Sequence, residues 1–335
     1  MTARRPTLKD VAERAGVSLK TTSRVLNGEK SVRPETEQRV RDAMTELGFR
    51  PNYFARRLRL GADTSSIGLV IEDLSNPFYS GMAHAIEQRA HEHSMLLIIG
   101  SSQRQPETER RLVASLSQRR VSGLIVVPAG HNHDHLAAEQ ERGLRIVCAD
   151  RPAAGVSADA VVADNEGGAR LAVTHLSRHH HKRIAYLGDD PELYTNQQRL
   201  EGYRGALGLH GAATDGHLAC LGLTDAAAAE RATRELLAGE SPPTAIFAGN
   251  NLLTIGALHA LRAIHRTDVA VVGFDDFEAA DLVVPGVTVV RHDPAELGRI
   301  AADRLLARID GDRSAPTVEM LPVHLIARGS GELTP

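Results

Sequence analysis

The chain has 335 residues, which is enough for one small and one larger domain or for three subdomains. Hydrophobic residues make up 42% of it and aromatic residues only 3%, with no Trp, which argues against a single-strand binder that stacks bases on aromatic rings. There is no apolar run of 18 residues, and the opening MTARRPTLKD lacks a secretory signal, so we expect a soluble cytoplasmic protein without a membrane partner. Cys148 and Cys220 lie far apart in apolar runs and are expected to be buried free thiols.

The net charge of −3 conceals two segments of opposite sign. Residues 1–60 contain 14 Lys and Arg against 7 Asp and Glu, a net charge of +7, whereas the rest contains 25 against 35, a net charge of −10. A basic head of this size attracts a polyanion, with an affinity that falls as salt rises because counterions are released. The alternative is a solvated basic face on a helical module that binds protein.

The head begins with two short predicted helices. Thr7 and Asp10 have the spacing of a capping box, apolar residues follow at helical spacing, and Gly16 suits a left-handed C-terminal turn. Ser18 is the next N-cap candidate, for a helix over residues 19 to about 27. Two helices joined by so brief a turn are typical of the helix-turn-helix.

The second helix has one polar face. Lys20 and Arg24 are four residues apart and share it, with Ser23 and Asn27 beside them. In a major groove, arginine and lysine favour guanine O6 and N7, whereas hydroxyl and amide groups hold register on phosphates. A third helix is predicted from Pro34 at its first turn to a stop at Gly48.

A further short helix of about two turns is predicted over residues 52–60, after Pro51 and before Gly61. Asn52 is its N-cap candidate. An isolated helix of this length is unstable in water, so it needs a partner to form. Taken alone, Leu58 within it is best interpreted as a core leucine.

From residue 67 onward, apolar strand patterns alternate with helical patterns, which predicts a doubly wound α/β body with parallel sheets. The predicted buried strands are 67–71, 96–99, 124–127, 146–149, 184–187, 245–248 and 269–272. The predicted helices are 81–93, 107–120, 167–178, 196–209, 226–237 and 252–264. Ligands of such folds bind beyond the carboxyl ends of the strands.

Polar and aromatic side chains follow several of these strands. Carboxylate, amide and guanidinium groups suit the adjacent hydroxyls of a polyol, and an aromatic ring can stack on a sugar. Each residue could instead be a capping or strand-end turn residue. The candidates are Asp73, Ser75, Phe78, Tyr79, Asp150, Asp164, Asn165, Arg199, Asn250, Asn251, Asp275 and Asp276.

The run LKDVAERAGVSLKTTSRVLN, followed by RPNYFARRLR, closely resembles the head of the lactose/galactose repressor family of bacterial transcription regulators, and the resemblance continues through the whole chain. The resemblance implies that bases are read by Leu19, Lys20 and Arg24. Leu19 can only contact a thymine methyl or exclude a base. The implied phosphate contacts are Thr7, Ser18, Thr21, Ser23 and Asn27.

The resemblance also gives the short helix a role as a hinge helix, ordered on DNA and paired with its twin from a second subunit. Leu58 would then enter the minor groove as a wedge that unstacks a base step and bends the duplex. The implied minor-groove residues are Asn52, Ala55, Arg56 and Leu58.

For the body, the resemblance implies two lobes like those of a type I periplasmic sugar-binding protein. We expect a DNA-binding domain over 1–50, a hinge over 51–61 and an effector-binding and dimerisation domain over 62–335. Lobe one takes about 62–160 and 291–325, and lobe two 161–290. The implied effector contacts are Asp73, Ser75, Phe78, Tyr79, Asp150, Arg199, Asn250, Asp275 and His292, with Arg199 and Asp275 gripping ligand hydroxyls.

Two positions depart from the family pattern: His180 replaces the usual glycine, and Asn251 replaces the commoner aspartate. The first leaves a local turn in doubt, and the second weakens any transfer of ligand identity. Histidines at 131, 133 and 135 and at 179–181 could ligate a metal, but no metal motif accompanies them, and we expect neither metal nor cofactor.

The predicted function is a dimeric repressor of a carbohydrate-use operon, which binds a palindromic operator under the control of a sugar or sugar-derived effector. No leucine heptad tail follows residue 325, so we expect a dimer. Three alternatives remain: a purine or phosphorylated co-regulator as effector, a sugar-binding transport component, and an enzyme acting on sugars or nucleosides. The basic head opposes the second, and the absence of an activated nucleophile opposes the third.

Overall fold

A computed structural model describes residues 6–26, 32–49, 66–212 and 216–335 of the chain. The chain divides into two compact units, residues 1–64 and residues 65–335, which we call the head and the body.

The described part of the head contains three helices: α1 (Leu8–Ala15), α2 (Leu19–Leu26) and α3 (Pro34–Glu46). The predicted capping box is present, because the Thr7 hydroxyl accepts from the Asp10 amide while the Thr7 amide donates to Asp10 Oδ2 at 2.6 Å. Gly16 ends α1 with φ of 64°, a conformation that glycine adopts without steric cost. The core between the helices consists of Val11, Ala15, Val25, Val40 and Ala43. The predicted helix-turn-helix is confirmed.

The body contains strands and helices in alternation. Its strands are β1 (Ser66–Ile71), β2 (Leu96–Ser101), β3 (Gly123–Val126), β4 (Arg145–Ala149), β5 (Asp159–Ala163), β6 (Ile184–Leu187), β7 (Ala219–Cys220), β8 (Ala245–Ala248), β9 (Ala270–Phe274), β10 (Thr288–Arg291), β11 (Val318–Leu321) and β12 (His324–Ile326). Its helices are α4 (Pro77–Glu92), α5 (Pro106–Gln118), α6 (Asp134–Glu141), α7 (Asn165–Arg178), α8 (Tyr194–His210), α9 (Ala226–Ala238), α10 (Asn251–Ala263) and α11 (Pro294–Ile309).

Within the described residues the strands form two sheets, one in each lobe. The first has the order β11-β5-β4-β3-β1-β2 and the second β12-β10-β9-β8-β6-β7. Neighbouring strands of these two sheets are parallel except β10 and β12, whose antiparallel register places Val290 opposite Leu325. The doubly wound α/β prediction is therefore confirmed.

Side chains alternate across each sheet, so both faces are covered by a hydrophobic core. Ile67, Leu69 and Ile71 of β1 pack in the core that includes α4 and α11, whereas Val70 packs in the core on the opposite face. The second sheet is covered on both faces in the same way. The strand ends between the lobes are thereby held in fixed positions.

Two sequence-based expectations are corrected. The strand at 96–99 was expected to be buried, but β2 is an edge strand, and Leu96 is 63% exposed because no strand lies beyond it. Residues up to about 325 were assigned to the first lobe, but β12 pairs with β10 in the second sheet. The chain thus passes between the sheets after β5, after β10 and after β11. Among the described residues, no helix is both long and apolar enough to cross a membrane.

Candidate DNA-reading helix and effector cleft

Helix α2 presents one polar face and buries the other. Thr22 and Val25 are buried, whereas Lys20 and Arg24 are exposed and Leu19 is 52% exposed. Their spacing of four residues places Lys20 and Arg24 on the same side of the helix. These three are the predicted base-reading residues, and the head leaves all three accessible to a ligand.

Ser18 caps this helix. Its hydroxyl oxygen accepts from the Thr21 amide at 3.1 Å and lies 2.8 Å from the Thr21 hydroxyl. The cap fixes the start of α2, where backbone amides and the helix dipole favour an anion such as a phosphate. Ser23 is half-buried on the same helix, and Thr7 is exposed at the start of α1.

Two other cations of the head, Arg14 and Arg39, serve its internal structure. Arg14 donates to Glu46 Oε1 at 2.6 Å, and Arg39 donates to the Ala15 carbonyl at 2.5 Å. These contacts join α1 to α3. The remaining predicted DNA-contacting positions lie outside the described residues: Asn27, Asn52, Ala55, Arg56 and Leu58.

The predicted effector residues of the body lie at strand ends and helix starts, as parallel sheets require. Asp150 follows β4, Asp275 follows β9 and His292 follows β10. Asn250 is the N-cap of α10, accepting from the Leu253 amide at 2.9 Å. Arg199 lies in the second turn of α8 and is 6% exposed. Together they line a small cavity of about 40 Å³ between the lobes, with the exception of His292.

Arg199 is fixed by neighbours on several sides. Its Nε donates to Asn165 Oδ1 at 2.8 Å, and its Nη1 donates to the Gly249 carbonyl and lies 3.6 Å from Asp275 Oδ2. The guanidinium carbon is 3.7 Å from the centre of the Phe274 ring, a cation–π contact. A planar guanidinium held in this way can form paired hydrogen bonds with two neighbouring oxygens.

The pKa values of Asp275 and Asp150 are shifted in opposite directions. Burial alone would raise the pKa of Asp275, but Arg199 and His292 hold it below its ordinary value, and His292 Nε2 lies 3.2 Å from Asp275 Oδ1. Burial raises the pKa of Asp150, which Arg151 and Arg199 offset only in part. Both aspartates have positive φ, 67° and 69°, a strained conformation that is common at binding sites.

A second buried network completes the cleft and was missed from the sequence. Arg151 Nη2 donates to Glu72 Oε2 at 2.8 Å and lies 3.1 Å from the Tyr79 hydroxyl, which donates to the same oxygen at 3.2 Å. Burial opposes ionisation of Glu72, yet Arg151 and Arg104 lower its pKa. Tyr79 is therefore part of a buried network, not a stacking surface.

The signal for two of these residues was present. Glu72 and Arg151 directly neighbour the predicted Asp73 and Asp150, so the same strand-end rule would have found them. Arg104 follows an edge strand by three residues and had no such signal.

Side chains of the two lobes meet across the cleft. Arg104 donates to Asp189 across the cleft and lies 3.4 Å from Glu72 Oε1 of its own lobe, and within the second lobe Asn250 Nδ2 donates to Asp189 Oδ2 at 3.2 Å. Asn251, the departure from the family pattern, donates to Asn76 Oδ1 at 3.0 Å. These contacts close the cleft.

Two predicted effector residues, Asp73 and Ser75, lie apart from the cleft. Ser75 Oγ donates to Asp73 Oδ2 at 2.7 Å and its amide donates to Asp73 Oδ1 at 2.8 Å, so the pair closes an exposed turn. Phe78 lines the cavity and makes an edge contact with His292, with ring centres 5.3 Å apart. A wider cavity of about 380 Å³ adjoins them, lined also by Asp275 and Arg328.

Two histidines of the runs at 131–135 and 179–181 make internal contacts. His135 Nε2 lies 2.9 Å from Glu109 Oε1, and His181 Nε2 lies 2.8 Å from the Leu333 carbonyl. His180 adopts φ of 71°, so the turn usual for glycine is retained with a histidine. Among the described residues, no three metal-ligating side chains converge.

Comparison with known families gives two matches along the chain. Residues 7–52 match "Bacterial regulatory proteins, lacI family", and residues 173–331 match "Periplasmic binding protein-like domain". The transcriptional regulator CelR of Thermobifida fusca is 35% identical over 340 residues, covering 98% of this chain and 99% of CelR. The transcriptional regulator GalS of Salmonella typhimurium is 32% identical over 330 residues, covering 97% and 96%.

Two solved structures are similar over nearly the whole chain. The lac repressor dimer bound to operator and the anti-inducer ONPF has a TM-score of 0.83 and 28% identity, covering 98% of this chain and all of that one. The complex of CelR with cellobiose has a TM-score of 0.74 and 32% identity, covering 97% and 100%.

Proposed function

Because the chain belongs to the lacI family of bacterial regulatory proteins, we propose that it represses a carbohydrate-use operon and that a sugar or sugar-derived effector bound between its lobes controls it. It is a DNA-binding transcription regulator, not an enzyme. The lac repressor is a dimer in its complex with operator, and we expect this chain likewise to bind as a homodimer, since a two-fold protein suits a palindromic site. The proposal places the protein where its operator is, in the cytoplasm.

The observation that carries the proposal is that one chain contains both features: exposed Lys20 and Arg24 on α2 of the head, and a buried, charged cleft in the body. Both cations suit guanine in the major groove, and Leu19 beside them suits a thymine methyl. Phosphate contacts by Ser18, Thr21 and Ser23, with Thr7 and Asn27, would set the register without reading sequence.

The hinge assignments are also proposals, since the segment lies outside the described residues. Leu58 would enter the minor groove with Ala55 allowing close approach, while Asn52 caps the helix and Arg56 contacts phosphate. An order-on-binding helix of this kind would connect the effector state of the body to the affinity of the head.

Charge balance in the cleft supports a neutral, hydroxyl-rich effector. The carboxylates that line it are Glu72, Asp150, Asp189 and Asp275, and the guanidiniums are Arg104, Arg151 and Arg199. The net charge of the cleft is negative when Asp150 is ionised and zero when Asp150 is protonated. The cleft therefore has no excess of positive charge to bind a phosphate. This weighs against a phosphorylated co-regulator as effector.

A purine is the other alternative. The face of Phe274 is covered by Arg199, whereas the half-buried ring of Phe78 lines the cavity and suits a purine and a sugar ring alike, so the aromatic groups do not separate these two effector classes. Asp275 and Arg199, by contrast, offer an acceptor and paired donors to adjacent hydroxyls. The CelR structure contains cellobiose, which is consistent with this preference in a relative.

The test has two parts and uses the full-length protein. Selection from a random duplex library should yield a palindromic site, and a thermal-shift screen of sugars, sugar phosphates and nucleobases should yield a ligand. A neutral sugar as the best ligand supports the proposal. A nucleobase or a sugar phosphate as the only ligand would contradict the effector class while leaving the operator result intact.

A further inference from the structure

A chamber of about 150 Å³ lies beside the cleft, lined by residues of both lobes. It shares Glu72, Arg104 and Arg151 with the cleft but contains neither Arg199 nor Asp275. At roughly 30 Å³ per molecule in the liquid, its volume corresponds to about five waters. The chamber therefore has room for a substantial polar group beyond the one that Arg199 and Asp275 would grip.

Two residues of the chamber have buried polar atoms without a hydrogen-bond partner among the described residues. Ser102 is fully buried, and its Oγ has none. Arg151 is 4% exposed, and its Nε has none, although it lies 3.5 Å from Asp150 Oδ2 as an ion pair. An unpaired buried polar group costs free energy, so each gains when a ligand hydroxyl pairs with it.

The walls of the chamber are fixed and have two chemical characters. Glu109, fully buried, accepts the Ala129 amide at 2.6 Å and so holds the loop that follows β3 against α5. Pro106 and Leu193 supply apolar surface, whereas Ser102, Arg151 and the exposed His131 supply polar groups. A sugar ring likewise has apolar C–H faces and a rim of hydroxyls, which suits such a chamber.

We propose that this chamber is a second subsite of the effector cleft and that the effector is longer than one sugar ring, of the class of neutral disaccharides and glycosides. The first ring is gripped by Arg199 and Asp275, and hydroxyls of the second unit pair with Ser102 Oγ and Arg151 Nε. The inference rests on the proposed function and deepens it, since it assigns a size to the effector.

The experiment compares matched sugars on the full-length protein by calorimetry and thermal shift. The panel pairs glucose with cellobiose and maltose, and galactose with lactose and melibiose. At least one disaccharide is expected to bind more tightly than its own monosaccharide. Ser102→Ala should weaken that disaccharide roughly three- to ten-fold, the range expected for one hydrogen bond, and leave the monosaccharide unchanged.

Ser66→Ala is the matched control. Ser66 is also fully buried with an unpartnered Oγ, but it lies at the opposite end of β1 from the cleft. The Ser66→Ala variant should bind both sugars as the wild type does.

A second variant, Leu193→Phe, places a larger side chain in the chamber and should reduce disaccharide binding while sparing the monosaccharide. Its melting curve shows whether it folds. If it does not fold, the Ser102→Ala result decides.

Three results separate this inference from the proposed function. A monosaccharide that binds as tightly as its disaccharides, with Ser102→Ala equal to Ser66→Ala, overturns the second subsite while the sugar effector stands. If Arg199→Ala binds neither sugar, and Ser102→Ala loses only the additional affinity for the disaccharide, the result supports both the sugar effector and the second subsite. If no panel sugar binds the wild type, the sugar effector and the subsite are overturned together, and operator selection still tests the DNA function.

Discussion

Arg24 illustrates how one side chain can separate affinity from specificity. It is exposed on the polar face of α2, one helical turn from Lys20. A bidentate contact to guanine O6 and N7 contributes about 1–3 kcal/mol of discrimination, whereas general affinity for DNA comes from the summed charge of the head.

We therefore expect Arg24→Ala to lose preference for one base position in the selected operator while binding of random duplex at low salt persists. Competition of operator against random duplex measures this. Arg41→Ala is the control, because Arg41 is exposed on α3 and paired with Glu37, four residues before it, so its removal should lower all affinities equally. Undiminished preference in Arg24→Ala would refute the assignment.

Arg199 joins the ligand-facing and structural parts of the cleft, since it contacts Asp275, Asn165 and the Gly249 carbonyl together. Arg199→Ala should abolish the effector-induced rise in melting temperature and leave operator binding in place. Arg199→Lys keeps the charge without the planar fork, so it should recover only part of the effector affinity. Equal effector binding by wild type and Arg199→Ala would move the effector site elsewhere.

Acid should weaken the body through Asp275. Its pKa is lowered in the folded state, despite burial, by Arg199 and His292, so its contribution to stability is complete above its ordinary pKa of 3.8 and is lost as pH falls through the lower folded value. Glu72 acts in the same direction, and Asp150, whose pKa is raised, in the opposite one.

Urea unfolding of the body between pH 6 and pH 3 measures this dependence. Asp275→Asn should be less stable than wild type near neutral pH and should lose less stability on acidification. Asp310→Asn is the control, since its side chain is exposed at the C-terminal end of α11 and its removal should change the slope little. Parallel pH curves for wild type and Asp275→Asn would show that Asp275 is not the responsible group.

At the scale of elements, the helix caps and the central buried strands could be predicted from the sequence better than the segments at the edges of the sheets. Thr7 and Ser18 capped helices where their hydroxyls indicated, and β6 and β8 matched their predicted bounds, because burial on both faces leaves a continuous apolar run. Strand β12 was assigned to the wrong lobe, because a strand of three residues does not indicate which sheet it joins, and the 16-residue helix α11 was not predicted.

The cleft shows the same division. Residues next to buried strands, such as Asp150 and Asp275, could be located from the sequence because the strand fixes where its end lies. The contact between Arg104 and Asp189 could not be predicted, since the two residues are 85 apart in the chain and lie in different lobes, and no local pattern encodes their pairing. Asp73 and Ser75 follow a strand too, but they pair with each other in an exposed turn.

The capping box of α1 should contribute measurably to the head. Thr7→Ala removes the hydroxyl that accepts from the Asp10 amide, while the Thr7 backbone amide can still donate to Asp10, and it should destabilise the helix by about 1 kcal/mol. Hydrogen exchange of the amides of residues 8–15 in the full chain should then accelerate about five-fold or more, whereas Thr7→Ser, which keeps the hydroxyl, should exchange nearly as the wild type does. Equal exchange in both variants would deny the cap its role.

At the scale of the whole body, the two lobes are joined by three chain crossings and by side-chain contacts across the cleft. Arg104 with Asp189, and Asn251 with Asn76, hold the lobes together over a cavity of about 40 Å³. An effector must replace these contacts with its own, and its binding energy can therefore change the relative populations of lobe arrangements. A ligand that binds both arrangements with equal affinity does not change their relative populations.

The central claim is that one chain couples a small ligand in the body to sequence-specific DNA binding by the head. Fluorescence anisotropy of the selected operator duplex, titrated with full-length protein at fixed salt with and without a saturating hit sugar, tests it most directly. We predict two subunits per duplex and an operator affinity that the sugar changes by roughly 5- to 150-fold, with the operator changing sugar affinity by the same factor. Binding by a single subunit, or one operator affinity with and without the sugar, would contradict the account.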